Sequence, residues 1–390
     1  MPTSPARWLA LSAALLSAAL ASKAPASTPF TLTLHTQEAK LENGKASKQD
    51  VVKTWTLNAA DLTRSRAAGH LSAGLQRALD HIQHQVESRQ PAPAVFRNEH
   101  GHWVARQQNG WTLDRHKTDV GLLNTLLAGG HSAEAVVALT APQRSVQLLA
   151  GRGVLSFVSS GHSSYRGSPT FRETNVLVGA SKLDNFFIAP GHTFDFAKEV
   201  GSISAATGFV KGYVISGGTL QKEDGGGICQ VSTTVFRALY QAGLPIVERH
   251  EHSHRVDYYD PVGFEATVYA PEKNLRMKND TAAYLFVQAS WDKKAKTLTF
   301  DLFGAAPTRT VKLSKPVVSD FKFPSQPTYS PDPRVRVGSR RVLDVEVQGM
   351  TSVITRSVTR NGHTTKDTLK SVYRPWGKVY GVAPGDSRLR

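Results

Sequence analysis

An α+β fold is the expectation for this chain, and three patterns carry it. Apolar residues recur at helical spacing in several separate stretches. Strand-length runs of alternating or apolar residues lie between and after them. The tail is β-rich and contains an Asn-Gly hairpin signal. With 390 residues, 40% hydrophobic and 20% charged, the composition is that of a globular protein long enough for two or three cores, and it excludes a disordered or fibrous chain. No internal repeat of fixed period is present.

Taken in order, Arg7 followed by the uncharged apolar run Trp8 to Ala21 and the small-residue sites Ala19-Leu20-Ala21 or Ala24-Pro25-Ala26 reads as a secretory signal. The run falls short of the ~20 residues of a membrane span, and no later segment is apolar enough. An exported chain without a membrane span is expected. Phe30 to Leu34 alternates as a strand. Leu71, Leu75, Leu79, Ile82 and Val86 define an amphipathic helix that Pro91 and Pro93 end. Asn109-Gly110 signals a turn, and Val120 to Leu127 forms a second helix stopped by Gly129-Gly130.

Val146 to Val158 is apolar and predicts a strand, and Ser159 to Pro169, rich in Ser and Gly, predicts a loop. Phe171 to Phe187 has helical core positions at Val178, Leu183 and Phe186. Val231, Val235, Leu239 and Ala242 share another helical face, closed by Gly243 and Pro245. Strands are expected over Ile246 to Tyr259, Ala266 to Ala270, Ala283 to Ala289 and Thr297 to Phe303. Lys315 to Pro333 holds five prolines and predicts a linker. Leu343, Val345 and Val347 alternate with Asp344 and Glu346, and Asn361-Gly362 joins two Thr/Val-rich runs.

The net charge is +16, and the last sixty residues carry twelve Lys or Arg against five Asp or Glu. For an exported chain this bias points to anionic wall or envelope polymers rather than nucleic acid, or else to a solvated basic surface with no partner.

The chemistry concentrates at Gly225-Gly226-Gly227-Ile228-Cys229-Gln230-Val231-Ser232-Thr233-Thr234, which contains the single cysteine of the sequence. A lone thiol forms no intramolecular disulfide. A helix start favours its thiolate, and glycines let a substrate approach the backbone. The N–H groups from Gly227 to Gln230 would form an oxyanion hole. A thiolate nucleophile wants a base. His250, His252 and His254 alternate in Glu248-Arg249-His250-Glu251-His252-Ser253-His254, so an extended strand would turn all three imidazoles to one side. Glu265, Asp257 or Asn279 would orient the imidazole. Two rival readings stay open. The histidines with Cys229 or Glu265 could ligate Zn²⁺, although neither paired-Cys nor His-Glu-x-x-His spacing is present. Alternatively, Cys229 simply packs beneath the glycine turn.

The block around Cys229, with Glu248-Arg249-His250, His252-Ser253 and Ala266-Thr267-Val268, resembles the VanW family of bacterial cell-envelope proteins. Arg172, Asn175, Pro190-Gly191, Phe194 and Gly212-Tyr213 resemble its earlier blocks. The resemblance spans about residues 170 to 305. Pro93 to Leu149 is more loosely similar to a peptidoglycan-binding-like domain. Glu265 stands where the family usually has Asp, and His254 lies outside the family pattern.

The resemblance implies a VanW-type α+β core over 151–310. Before it come a signal at 1–26 and a smaller α+β peptidoglycan-binding-like domain at 27–150. After it come a proline-rich linker at 311–335 and a basic β-rich module at 336–390. The implied function is that of an exported, cell-envelope protein acting on peptidoglycan or another anionic polymer. As an enzyme it would be a Cys–His amidase, peptidase or transpeptidase with Cys229 as nucleophile, His250 or His252 as base and Glu265 as orienter. Gly225, Gly226, Gly227, Gln230, Ser232, Thr233 and Arg249 would bind substrate. No metal or cofactor is expected. The alternative is a non-catalytic envelope-binding protein whose glycine–cysteine turn is structural.

Overall fold

Polar caps start the first helices. Asn58, Ser72 and Asp114 accept first-turn N–H groups and open Ala59–Ala68, Ala73–Glu87 and Arg115–Leu127. The second of these buries Leu75, Leu79, Ile82 and Val86, the stripe expected from the sequence. The computed structural model describes residues 29–216 and 219–389, so the expected signal at 1–26 lies outside the described residues. No helix among the described residues is long and apolar enough to cross a membrane. The chain divides into two compact units. One comprises the chain up to Thr36 with Val52–Ser88 and Trp111–Ala138; the other comprises Gln37–Val51, Arg89–Gly110 and Leu139–Arg390. In the first, Thr31–Thr33 pairs in parallel with Ser132–Glu134.

The larger unit is built on a four-stranded antiparallel sheet in the order Ser156–Ser164, Thr297–Gly304, Leu285–Asp292, Phe186–Ile188. Because alternate residues face opposite sides, Leu285 and Val287 enter one core cluster while Phe286 enters another with Phe96 and Phe303. The rings of Phe96 and Phe303 stack at 4.0 Å. On the other face lies the helix Ile228–Gln241, in which only Cys229 and Gln241 are not buried. Gly161 makes this close packing possible, since a Cβ there would lie 2.1 Å from the Thr234 carbonyl oxygen.

Several local expectations are corrected. Val146–Gly151 is a helix rather than the start of a strand, because Ser145 caps it by accepting the Leu148 N–H. A short apolar run does not distinguish the two states by itself. The strand Ser156–Ser164 then runs through the expected Ser/Gly loop. Its serines are satisfied by neighbours: Ser159 donates to the Ala238 carbonyl at 2.7 Å and Ser160 to Asp301 at 2.7 Å. Of the expected strand Ile246 to Tyr259, only Ile246–Glu248 is one, followed by irregular backbone and a turn of 3₁₀ helix at Asp257–Tyr259. Ala266 to Ala270 forms isolated bridges, His250 with Thr267 and Tyr269 with Lys273.

Towards the C-terminus, Asn361 and Gly362 both take positive φ (50° and 79°) and join Gly349–Arg360 to His363–Tyr373 as the hairpin signal predicts. Arg309–Leu313 and Val317–Lys322 pair with the first hairpin strand. The proline-rich stretch therefore contains strands, with Thr328–Pro331 as another, and prolines 316, 324 and 327 stand outside them. A second small sheet runs Thr328–Pro331, Val379–Val382, Arg341–Asp344. Buried Arg356 fastens the hairpin to the end of the Cys229 helix. It donates to Asp367 at 2.6 Å and to the carbonyls of Tyr240 (3.1 Å) and Leu244 (2.8 Å).

Candidate active site

Gly225 and Gly227 adopt φ +82° and +112°, which side-chain-bearing residues avoid, and Gly227 is the N-cap of the Cys229 helix. Space forbids a side chain there as well, since a Cβ on Gly227 would lie 2.8 Å from Cγ of Arg172. Asn175 fixes the turn from below. Its amide donates to the carbonyls of Gly226 (3.0 Å) and Val210 (2.9 Å) and accepts the Val210 N–H at 2.8 Å. Within the turn, the N–H groups of Ile228 and Gln230 are taken by the carbonyls of Gly225 and Gly227 at 2.9 and 3.0 Å. Among the described residues, the Cys229 N–H has no main-chain acceptor.

Cys229 opens onto a cleft of about 1470 Å³, lined also by Arg172, His252, Tyr258, Tyr259 and Thr267 and walled on another side by 330–334 and 341–344. Its sulfur is 3.4 Å from the Thr267 hydroxyl and 3.5 Å from the Val268 carbonyl oxygen. Burial pushes the thiol up, but a hydrogen bond from His252 and the charge on that ring outweigh it, with help from Thr267, and the pKa falls from 9.0 to about 7.

His252 sits between Cys229 and Glu265. Its Nδ1 is 3.0 Å from Oε2 of Glu265, an ion-pair contact whose angle falls short of an aligned hydrogen bond. Burial alone would lower the imidazole, but the Glu265 charge and the interaction with Cys229 raise it to about 9. The ring stacks on Tyr259, with centroids 4.8 Å apart and 23° between planes. Glu265 is 2% exposed, and His252, Tyr373 and Arg249 overcome the cost of burying its charge and hold its pKa low. The Tyr373 hydroxyl donates to Oε1 at 2.7 Å, and the main-chain N–H of His252 donates to the same oxygen at 3.4 Å. The resulting order is thiol, imidazole and carboxylate.

The other residues singled out in the sequence are placed differently. His250 hydrogen-bonds Glu248 at 3.0 Å, and His254 packs at a tilt against Trp376 and bonds the Arg374 carbonyl. The irregular backbone after Glu248 removes the strand that would have aligned the three rings, so the three-histidine metal arrangement is overturned. Among the described residues no group of three His, Cys, Asp or Glu is placed to hold a metal. Asp257 pairs with Arg255, and buried Asn279 bonds the carbonyls of Ile188, Ala189 and Ala283.

Gly225 and Gly227 line the cleft, whereas Gly226 is buried beneath the turn. Gln230, Ser232 and Thr233 are buried fasteners. Gln230 donates to Ser163 at 3.0 Å, while Ser232 and Thr233 donate to the Ala266 carbonyl at 2.6 and 3.2 Å and clasp the segment that carries Glu265. Arg249 is also internal and donates to the carbonyls of Glu265 (2.7 Å) and Gly263 (3.2 Å) and to the Ser371 hydroxyl (2.9 Å). Sequence reasoning missed Tyr259 and Tyr373. The first offered only a Tyr-Tyr pair after the histidines, and the second lies 108 residues from its carboxylate with no local signal.

Residues 171–303 match the family model described as VanW like protein. Over 125 residues the chain is 35% identical to the uncharacterized protein YoaR of Bacillus subtilis, covering 32% of this chain and 41% of that one. Over 112 residues it is 30% identical to the vancomycin B-type resistance protein VanW of Enterococcus faecalis, covering 27% and 40%. The chain thus spans about two fifths of the length of each of these curated relatives. The crystal structure of HP0197-G5 matches 19% of this chain and 96% of its own length at 16% identity, with a TM-score of 0.11. Residues 171–303, the stretch that holds Cys229, His252 and Glu265, are thus similar to VanW-like proteins.

Proposed function

We propose that this protein is an exported cell-envelope enzyme that transfers or hydrolyses an acyl group of a wall peptide through Cys229. The observation that carries this reading is the ordered set Cys229, His252, Glu265 at the wall of an open cleft, with the thiol lowered and the imidazole raised. The lowered thiol and the raised imidazole favour a thiolate–imidazolium pair.

The thiolate attacks the carbonyl carbon of an amide or ester, and a carbon–sulfur bond forms as the carbonyl π electrons move to oxygen. The Cys229 N–H at the helix start faces the developing oxyanion. Collapse of this intermediate expels the amine or alcohol, which takes its proton from His252. Water or an acceptor amine, deprotonated by the now neutral His252, then attacks the thioester and frees the sulfur. Glu265 holds the ring through the cycle, and Tyr373 holds Glu265. An envelope polymer as the substrate rests on the family and on the basic C-terminal sixty residues. The peptidoglycan-binding-like role of 27–150 belongs to the same proposal.

The test is incubation of the full mature chain with muropeptides, followed by mass spectrometry of intact protein and products. A thioester adduct on Cys229 and new peptide products are expected. Cys229→Ala should abolish both, His252→Ala should cost roughly 10²–10⁴ in rate, and His250→Ala should leave the rate unchanged. Undiminished turnover by Cys229→Ala would return the protein to a binding role.

A further inference from the structure

Arg172 lines the same cleft as Cys229 and His252. One guanidinium nitrogen donates to Ser168 Oγ at 2.6 Å and another to the Tyr259 hydroxyl at 3.4 Å, both neutral partners. The guanidinium carbon lies 4.4 Å from the centre of the half-exposed Tyr258 ring. Among the described residues no carboxylate comes within ion-pair distance of it. Arg334, in another part of the cleft wall, is by contrast held against Asp332 at 2.8 Å.

The position is firmly fixed. The Arg172 stem packs on Gly227, two residues before the nucleophile, at the spot a Cβ would fill. Tyr259 accepts from Arg172 through its hydroxyl while its ring stacks on His252. The guanidinium therefore sits one tyrosine ring away from the base. A planar cation held by hydroxyls and an aromatic face keeps donors free for a planar anion, and a carboxylate matches that fork.

We propose that Arg172 is the carboxylate-recognition residue of this cleft. The favoured substrate is then a peptide or amino-acid derivative with a free carboxylate beside the carbonyl that Cys229 attacks, a step that would release a C-terminal residue or exchange it for an amine. This inference rests on the nucleophile reading above and adds the substrate class to it.

Two small alkylating agents separate the two ideas in the full chain. Iodoacetate and iodoacetamide both form a carbon–sulfur bond at Cys229 with loss of iodide, and they differ in a carboxylate against a neutral amide. With rates normalised to glutathione at the same pH, the wild-type chain should favour iodoacetate. Arg172→Gln keeps the carbons that pack on Gly227 and removes the charge. It should slow iodoacetate about tenfold, as expected for a charge-assisted contact, and leave iodoacetamide within twofold. Arg172→Lys, which keeps charge but not the fork, should fall between. The unchanged iodoacetamide rate also reports that the site has kept its fold. If Arg172→Gln leaves the iodoacetate rate intact, or slows both reagents equally, the carboxylate site is refuted while the nucleophile stands. If neither reagent labels wild-type Cys229 faster than glutathione at pH 7, the nucleophile reading falls and takes this one with it.

Discussion

Replacing Glu265 by Gln keeps the size of the side chain and an oxygen to accept from Tyr373, and removes one charge. Two lines of reasoning give opposite signs for the effect on Cys229. If the carboxylate acted on the sulfur directly, removing an anion would ease thiolate formation and lower the thiol pKa. The structure places His252 between them, and the Glu265 charge is the largest influence raising that imidazole. Without it, burial keeps the ring neutral, and the thiol loses both the charge and the donated hydrogen bond that hold it at about 7.

The drop of the thiol from 9.0 to about 7 amounts to roughly 3 kcal/mol in favour of the thiolate. At pH 7 that separates about half ionised from about one part in a hundred, so losing the whole effect would slow alkylation about fifty-fold. Thr267 still touches the sulfur, so a tenfold or greater loss is expected at pH 7. The rate inflection should move from about 7 to above 8, with variant and wild type converging near pH 10. The assay is the pH profile of iodoacetamide labelling at Cys229, read by mass spectrometry. An inflection that stays at 7 or falls below it would refute the relay.

Three other substitutions probe the frame around this site. Gly161→Ala would set a methyl 2.1 Å from the Thr234 carbonyl and 2.6 Å from the Ala238 nitrogen, and should cost about 3 kcal/mol in urea denaturation; an unchanged midpoint would contradict the packing described. Tyr373→Phe removes the donor to Glu265 and the acceptor of the Gly263 N–H at 3.0 Å, so stability should drop by about 1–3 kcal/mol while the labelling inflection stays near pH 7. Asn361→Ala puts alanine at φ 50° in the hairpin turn and should cost about 1 kcal/mol in the thermal midpoint without changing the labelling rate of Cys229.

Much of this was legible in the residues themselves, and the exceptions have physical causes. The helix stripe from Leu75 to Val86, the glycine-primed helix start at Cys229 and the Asn361-Gly362 hairpin are local patterns, and local patterns survive folding. The strand Ser156–Ser164 looked like a loop because its serines are polar. Their partners, such as the Ala238 carbonyl and Asp301, come from distant parts of the chain and cannot be inferred from spacing. Spacing alone left His250 and His252 equivalent for the same reason. Strand geometry would have aligned them, yet Glu248 draws one ring away while Glu265 holds the other. Gln230, Ser232 and Thr233 stood out as polar residues near a nucleophile, and burial has turned them into fasteners.

The hairpin that carries Ser371 and Tyr373 has a bearing on how this protein can be divided. Residues 171–303, the stretch shared with relatives, contain the sulfur, the ring and the acid, but not the phenol that braces the acid or the hydroxyl that braces Arg249. They also lack the cleft wall formed by 330–334 and 341–344. A fragment cut at the limits of the shared segment would carry the reagents without their scaffold, and a chimera that grafts it elsewhere must supply a substitute for both braces. The inherited segment and the working unit have different borders, and the second extends seventy residues further along the chain, to Tyr373.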